Sequence, residues 1–328
     1  MKKIILLAIA SVSILLPSCD KQKSSTMGSD KSDLSSINSS LDIKRQKGAL
    51  NFLVIGDWGR MGEFHQTEVA QQMDTFAQKT NAKFTIATGD NFYDNGVRSV
   101  NDPQWFGSFE NIYKGSALQR DWFVVLGNHD YQGNPQAEID YSKISRRWNM
   151  PSRYFAISKK INDTVSAKFI FIDTSPFVES YQKNAEQYAD LAKQDTVKQL
   201  KWLDSVLANS KEQWKIVTGH HPIYSTGSAH GNTQELFVNV KPMLEKYHVQ
   251  LYLAGHEHDL QHQKPEDSYV EYIVSGAGSE TRPTSKSKIT EYANDVSGFA
   301  LLSINSDSLK INFIDYEGNI IYRGLKKR

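Results

Sequence analysis

From about residue 50 to residue 255, short runs of β-branched and aromatic residues alternate with segments whose apolar positions recur every three or four residues. Residues 51–55, 84–87, 122–126, 168–172, 215–217 and 250–253 are apolar runs too short for helices and read as buried strands. Between them, Val69, Met73, Phe76 and Thr80 share one helical face over 63–80. Leu200, Leu203 and Leu207 do the same in a helix that Asp195 is placed to cap. A third helix, over 234–247, carries Leu236, Val240, Leu244 and Tyr247, with a kink expected at Pro242. Residues 139–155 mix polar and aromatic positions without a period and yield no assignment. Residues 175–195 form a long polar loop, of the kind that serves as a lid or disordered flap. Beyond 270 the pattern becomes strand after strand, at 270–274, 299–304, 309–314 and 320–323, with Glu317-Gly318-Asn319 turning into the last. Strands alternating with helices imply parallel pairing, so the expected class is α/β.

The chain of 328 residues has ample material for a core, and its net charge of +1 announces neither nucleic acid nor an acidic membrane face as a partner. Its start has the pattern of a processing signal: Lys2 and Lys3 precede an apolar run over 4–16 that is short for a bilayer span. Leu16-Pro17-Ser18-Cys19 follows, with Cys19 the one cysteine of the chain, and this stretch resembles the lipobox of bacterial lipoproteins. The resemblance implies a signal peptide over 1–18 and an acylated Cys19 as the first mature residue. The protein is then exported and held to a bacterial membrane, in the periplasm or at the outer membrane, by a lipid anchor only. Ordinary secretion with cleavage near Ser18 is the other reading. Residues 19–47, rich in Ser, Lys and Asp, read as a disordered tether, and 48–328 as the folded domain.

Candidate chemistry collects where strands end. Asp57, Asp90, Asn128, His220 and the pair His256 and His258 each follow a strand run, usually by way of a glycine, and Tyr93 stands three residues beyond Asp90. Any one of these reads as an ordinary turn or core residue; the same placement five times over does not. Parallel strands gather their carboxyl ends on one rim, where α/β sheets bind ligands. Two carboxylates, one amide, one phenol and three imidazoles exceed what one tetrahedral ion takes and suit two first-row metals. Asp90 has two oxygens and can bridge them.

In order, Gly-Asp, Gly-Asp-x-x-Tyr, Gly-Asn-His-Asp, Gly-His and Gly-His-x-His make up the signature of the purple acid phosphatases within the calcineurin-like metallophosphoesterases. The chain resembles the small, tartrate-resistant branch of that family from about residue 50 to about 325, including the stretches 141–149 and 275–278. The resemblance implies a four-layer α/β/β/α sandwich with two mixed β-sheets. It implies that Asp57, Tyr93 and His258 hold a ferric ion, Fe(3+), and that Asn128, His220 and His256 hold a divalent ion, Fe2+, Zn2+ or Mn2+. Asp90 then bridges the two. His129 binds neither metal, faces the substrate and serves as general acid, with metal-bound hydroxide as nucleophile. His230 resembles a second substrate-facing catalytic histidine, and Asn128 also reaches the substrate. His221, where relatives carry Tyr, is a further substrate-side position. The loop 175–195 matches a repression loop that overhangs the site and can be cut to raise activity.

The chemistry is coherent without the family. A phenol with a pKa near ~10 becomes an anionic ligand near neutrality only beside a strong Lewis acid, and a ferric phenolate is coloured. Three anionic ligands against a ferric and a divalent ion leave a net charge of about plus two, suited to an incoming phosphate. Proton donation by His129 is worth ~10²–10⁴-fold and places the optimum at acid pH. The expected function is hydrolysis of small phosphate monoesters, with phosphoproteins or nucleotides also in range, by a monomer. A phosphodiesterase or nucleotide hydrolase with the same centre is the near alternative, and an iron-binding carrier is the alternative of another class. A carrier has no need of a histidine that binds no metal. Elsewhere the bland readings hold: His65, His248 and His262 are surface or hydrogen-bonded, Trp58 and Phe92 are core, and Glu257 points away from the metals. Asp130 reads as an orienter of His129, and Arg146 and Arg147 as a solvated basic pair.

Overall fold

The structure is a computed structural model that describes residues 48–328; the stretches expected to be a signal peptide (1–18) and a tether (19–47), Cys19 included, lie outside the described residues. β1 (Leu50–Ile55), β2 (Phe84–Ala87), β3 (Asp121–Val124) and the short β4 (Trp148–Asn149) pair in parallel as one half of a sheet. The chain then builds a second sheet from β5 (Phe155–Lys160), β6 (Ser166–Phe171), β7 (Trp214–Thr218), β8 (Leu251–Ala254), β9 (Leu260–Gln263), β10 (Glu271–Ser275) and β11 (Thr290–Asn294). It returns to complete the first with β12 (Gly298–Ile304), β13 (Ser308–Asp315) and β14 (Ile320–Lys327). Both sheets are seven-stranded and mixed, in the orders β14-β13-β12-β1-β2-β3-β4 and β11-β9-β10-β8-β7-β6-β5. In the second, β6, β7, β8 and β10 are mutually parallel.

The period of two along β1 sorts its residues between layers. Phe52 and Val54 face the second sheet and pack with Phe169, Ile216 and Leu302. Leu53 and Ile55 face the other way, against Val69, Met73 and Phe76 of the helix Gln66–Thr80. On the far side, Leu203 and Leu207 of the helix Thr196–Asn209 join Leu236 and Leu244 over Val217 and Tyr252. Three apolar interfaces separate four layers, α/β/β/α. The central strands are buried on both faces, which is why they read as continuous apolar runs.

Several boundaries differ from the sequence reading for local reasons. The first helix begins at Gln66 because Met61, Phe64 and His65 all have left-handed backbone, with φ of 56°, 52° and 65°. The third is two helices, Gln234–Asn239 and Lys241–Lys246, and Pro242 opens the second, where its missing N–H is no loss. The unassigned stretch after 139 holds the end of the helix Pro135–Tyr141 and then β4, fixed by Tyr141 stacking 3.5 Å from Trp105. Residues 175–195 are packed rather than flapping: Tyr188 and Leu191 are buried, and Asp190 takes an ion pair of 2.5 Å from Arg153. Asp195 does cap its helix, accepting from the Lys198 N–H at 2.9 Å. Among the described residues, no helix is long and apolar enough to cross a membrane.

Candidate metal centre

β1, β2 and β3 of one sheet and β7 and β8 of the other aim their carboxyl ends at the same place, so the rim expected of one sheet is shared by two. Asp57, Asp90 and His256, at three of those ends, have φ of 59°, 48° and 69°. Left-handed backbone at a non-glycine residue costs on the order of 1–3 kcal/mol and concentrates at functional sites. The glycines of the motifs make room for these side chains. A Cβ at Gly127 would lie 2.2 Å from Asp90 Oδ1, and one at Gly255 would lie 2.4 Å from Asp57 Oδ2.

The seven donors fall into two sets that meet at Asp90. In the first, the Tyr93 hydroxyl lies 3.1 Å from Asp57 Oδ1, 3.0 Å from Asp90 Oδ2 and 3.0 Å from His258 Nε2. In the second, His220 Nε2 lies 3.2 Å from Asn128 Oδ1, 3.2 Å from His256 Nδ1 and 3.4 Å from Asp90 Oδ2. Donor–metal bonds of about 2.1 Å separate neighbouring donors by roughly 3.0–3.4 Å, the spacing found here. Proton bookkeeping points the same way. The single Tyr93 proton faces two carboxylates and can satisfy one. His220 Nδ1 donates to the Thr88 carbonyl at 2.9 Å, so a neutral His220 turns the lone pair of Nε2 toward the oxygens of Asn128 and Asp90. A proton on His220 would relieve one of these oppositions; a cation in each set relieves them all. The residues therefore fit a dinuclear centre.

The electrostatics agree. Burial, then the Asp90 charge, pushes Asp57 well above the usual carboxylate range, although His220 pulls the other way. Burial also opposes ionisation of Asp90, but His220 and His129 outweigh it and hold Asp90 low. For His220, burial is overcome by the Asp90 and Asp57 carboxylates, which lift it to about 9. Burial lowers His258 to about 3 and holds His256 far below its ordinary value, so both are neutral ligands in waiting. Burial and then both carboxylates drive the Tyr93 phenol far above its normal range, so only a strong cation makes it a phenolate.

Beside this cluster lies a cavity of about 340 Å³ with Asp90, Asn128, His256 and His258 on its floor and His129 and His230 in its wall. His129 is anchored by its backbone N–H, which donates to Asp90 Oδ1 at 2.8 Å, and its Nδ1 meets the Asp94 carbonyl. A carbonyl only accepts, so Nδ1 carries a proton and Nε2 is the atom left to hold or give another. His230 stacks 4.2 Å from His256, and its Nε2 faces Arg282 Nη1 at 3.3 Å. His221 is not in the cavity wall. It is buried behind His256, ring centroids 4.3 Å apart, with Nδ1 on Thr174 Oγ1 at 2.9 Å and Nε2 3.4 Å from the hydroxyl of Tyr181 in the 175–195 loop. One His221 nitrogen also stands with His220 and His256 in a metal-sized group.

Three supporting residues have roles that the sequence does not announce. The Asp130 carboxylate takes no hydrogen bond from the His129 ring, which meets Asp94 instead. Fully buried, it accepts the Asn91 and Phe92 N–H groups at 2.9 and 3.2 Å and the Gly127 N–H at 2.7 Å, tying the loop after β2 to the loop after β3. Burial and Asp90 push it up to about 7, and burial, then Asp130, pushes the buried Glu138 behind it well above the usual carboxylate range. Glu257 does turn from the metals, as alternation requires, but into the protein: its Oε1 accepts the His230 and Gly231 N–H groups at 2.7 and 2.5 Å. Arg282 follows no motif and joins the wall through the fold alone. Arg147 is buried rather than solvated, and spends its donors on the carbonyls of Tyr113 and Leu118 and on Glu110 at 2.8 Å.

Comparison with known proteins matches this geometry to a family. Residues 50–260 match the calcineurin-like phosphoesterase family. Purple acid phosphatase 17 of Arabidopsis thaliana is 38% identical over 295 residues, 86% of this chain and 86% of its own length. Human tartrate-resistant acid phosphatase type 5 is 33% identical over 296 residues, 84% of this chain and 90% of its own. Among solved structures, GAP50, the anchor in the inner membrane complex of Plasmodium, superposes with a TM-score of 0.75 at 26% identity, covering 84% of this chain and 88% of that one. The purple acid phosphatase PPD1 of yellow lupin shares the fold, with a TM-score of 0.65 at 14% identity over 86% of this chain and 54% of that one. With that similarity extending over most of the chain, and two donor sets joined at Asp90, the chain belongs to the purple acid phosphatases of the calcineurin-like phosphoesterase family.

Proposed function

We propose that the protein is a metal-dependent phosphomonoesterase with a ferric ion held by Asp57, Tyr93 and His258 and a divalent ion, Fe2+, Zn2+ or Mn2+, held by Asn128, His220 and His256, Asp90 being shared. The observation that carries this is the pair of donor sets meeting at one carboxylate on the floor of an open cavity. When bound, the two ions supply Lewis acidity toward phosphate oxygens and lower the pKa of a water that attacks phosphorus. The protein's part is to place the other groups. His129, pinned through its backbone to Asp90 and through Nδ1 to Asp94, presents Nε2 to the leaving oxygen and gives it a proton. His230, whose loop is fixed by Glu257, stacks on His256 and narrows the opening. Tyr181 packs against Tyr188, ring centroids 4.8 Å apart, and against His221, ring centroids 5.6 Å apart, and so backs the histidine behind His256. Small phosphorylated substrates fit a cavity of this size, and the protein acts on them as a monomer.

The test is His129→Ala. It should keep both metals and lose on the order of 10²-fold or more in turnover of an aryl phosphate monoester, with the diester a poorer substrate throughout. The similarity to an anchor protein favours a second reading, a binding role without turnover. Negligible hydrolysis of the monoester by metal-loaded wild type would select it. We also propose that Cys19 is acylated and that the chain is exported and lipid-anchored to a bacterial membrane. Cys19→Ser should then move it from the membrane to the soluble fraction.

A further inference from the structure

Arg282 is carried on a fixed segment. Its own N–H donates to the His258 carbonyl at 3.0 Å, and residues 283–285 are laced to the loop bearing His230. The Ser228 N–H donates to the Pro283 carbonyl at 3.0 Å, the Ser285 N–H to the Thr226 carbonyl at 3.0 Å, and Gly227 bridges to Thr284. Yet among the described residues no carboxylate pairs with the guanidinium, whose one side-chain partner is His230 Nε2 at 3.3 Å. Nearby Arg60 differs: it is committed to Glu280 at 2.8 Å and Asp94 at 3.3 Å. The floor of the cavity is buried, whereas His230 and Arg282 stand where it opens to solvent. A phosphoryl group seated on the floor therefore has Arg282 and His230 at the opening toward which its leaving group extends.

We propose that Arg282 is a specificity-determining residue that engages an oxyanion on the leaving group, so that the site favours phosphate esters and anhydrides whose leaving group is itself negatively charged. This rests on the phosphatase reading above. A guanidinium offers a planar fork of donors that fits a carboxylate or a phosphoryl group, and it keeps its charge at every working pH. In the hydrolysis the bond from phosphorus to the bridging oxygen breaks as the bond to the water oxygen forms. The bridging oxygen leaves with its electron pair on the group that Arg282 holds, and the two protons of the water end on the two products.

Phenyl phosphate and 3-carboxyphenyl phosphate differ by one carboxylate on the leaving group, and inorganic pyrophosphate presents a phosphoryl group there. Relative to phenyl phosphate, kcat/KM for the charged substrates should fall about tenfold in Arg282→Gln, mainly through KM, and should partly recover in Arg282→Lys. A fall confined to pyrophosphate identifies a phosphoryl leaving group, and one confined to the carboxylated ester identifies a carboxylate. Calorimetric binding of methylenediphosphonate against methylphosphonate, neither of them hydrolysed, should show the same change without turnover. If Arg282→Gln does not fold, Arg282→Lys carries the test with an expected loss of about threefold, because it keeps the charge and lacks the fork. Unchanged ratios for both charged substrates, with phenyl phosphate still turned over, overturn the assignment of Arg282. No hydrolysis of any of the three by wild type overturns the phosphatase reading instead.

Discussion

Removing the carboxylate of Asp130 should unfasten the two loops that carry Asp90, Tyr93, Asn128 and His129. Its oxygens accept three backbone N–H groups, from Asn91, Phe92 and Gly127, all in the buried interior. In Asp130→Ala those donors have no partner, and an unsatisfied buried N–H costs about 1–3 kcal/mol. Three donors at the lower part of that range, with partial relaxation, give a loss of about 3–5 kcal/mol, a large share of the stability of an ordinary domain. Asp130→Asn is no rescue, because its amide NH2 would face an N–H on at least one side; it should lose nearly as much. Urea unfolding of the metal-free protein measures the loss, and metal analysis of the same variants shows whether the donor sets still assemble. Both variants losing less than about 1 kcal/mol and retaining wild-type metal content would refute the clamp.

Other buried groups give three further outcomes. Arg147→Met should cost about 1–3 kcal/mol in urea unfolding, because Glu110 Oε2 loses its partly buried cation while Gln119 and Trp122 still donate to the Tyr113 and Leu118 carbonyls, and the folded fraction should keep its specific activity. Burial, against the pull of Arg153 and Tyr131, lifts Asp173 from 3.8 to about 6, so the fold favours its protonated form. Its contribution is complete below pH ~4 and is lost as pH rises through about 6, a swing of roughly 3 kcal/mol. Asp173→Asn should flatten that slope in metal-free unfolding curves; an unaltered slope contradicts the assignment. Glu257→Ala should free the His230 and Gly231 amides, raising their hydrogen exchange by about tenfold or more, whereas Glu257→Gln keeps the acceptor and should stay near wild type.

The layers and the donor residues are legible in the sequence because each rests on a short-range rule. A strand buried on both faces shows as an apolar run, and a glycine beside Asp or His marks where it stops. Features decided by distant packing leave no such mark. β9 reads Leu-Gln-His-Gln, with no apolar period, and is buried because Gln261 and Gln263 find partners in Asp259 and Thr226 and His262 finds Glu271. Loop 175–195 reads as free because its anchors, Tyr181, Tyr188 and Leu191, share no period. They are held by His221, by one another and by the core. Asp130 sits next to His129 in the chain and reads as its orienter, but side chains of adjacent residues diverge, and its carboxylate turns to the backbone of Asn91. Arg282 reaches the cavity only because its segment is stitched across to the His230 loop, which no local pattern announces.

We propose above that Asp57, Asp90, Tyr93, Asn128, His220, His256 and His258 hold two metal ions, one of them ferric and bound to the Tyr93 oxygen. A visible spectrum of protein purified without chelators, with metal content measured on the same sample, tests it most directly. A centre of this kind should give about two transition-metal ions per chain, at least one of them iron, and a broad violet band that Tyr93→Phe abolishes. A well-folded wild-type protein that is colourless under oxidising conditions and carries no bound transition metal would contradict it.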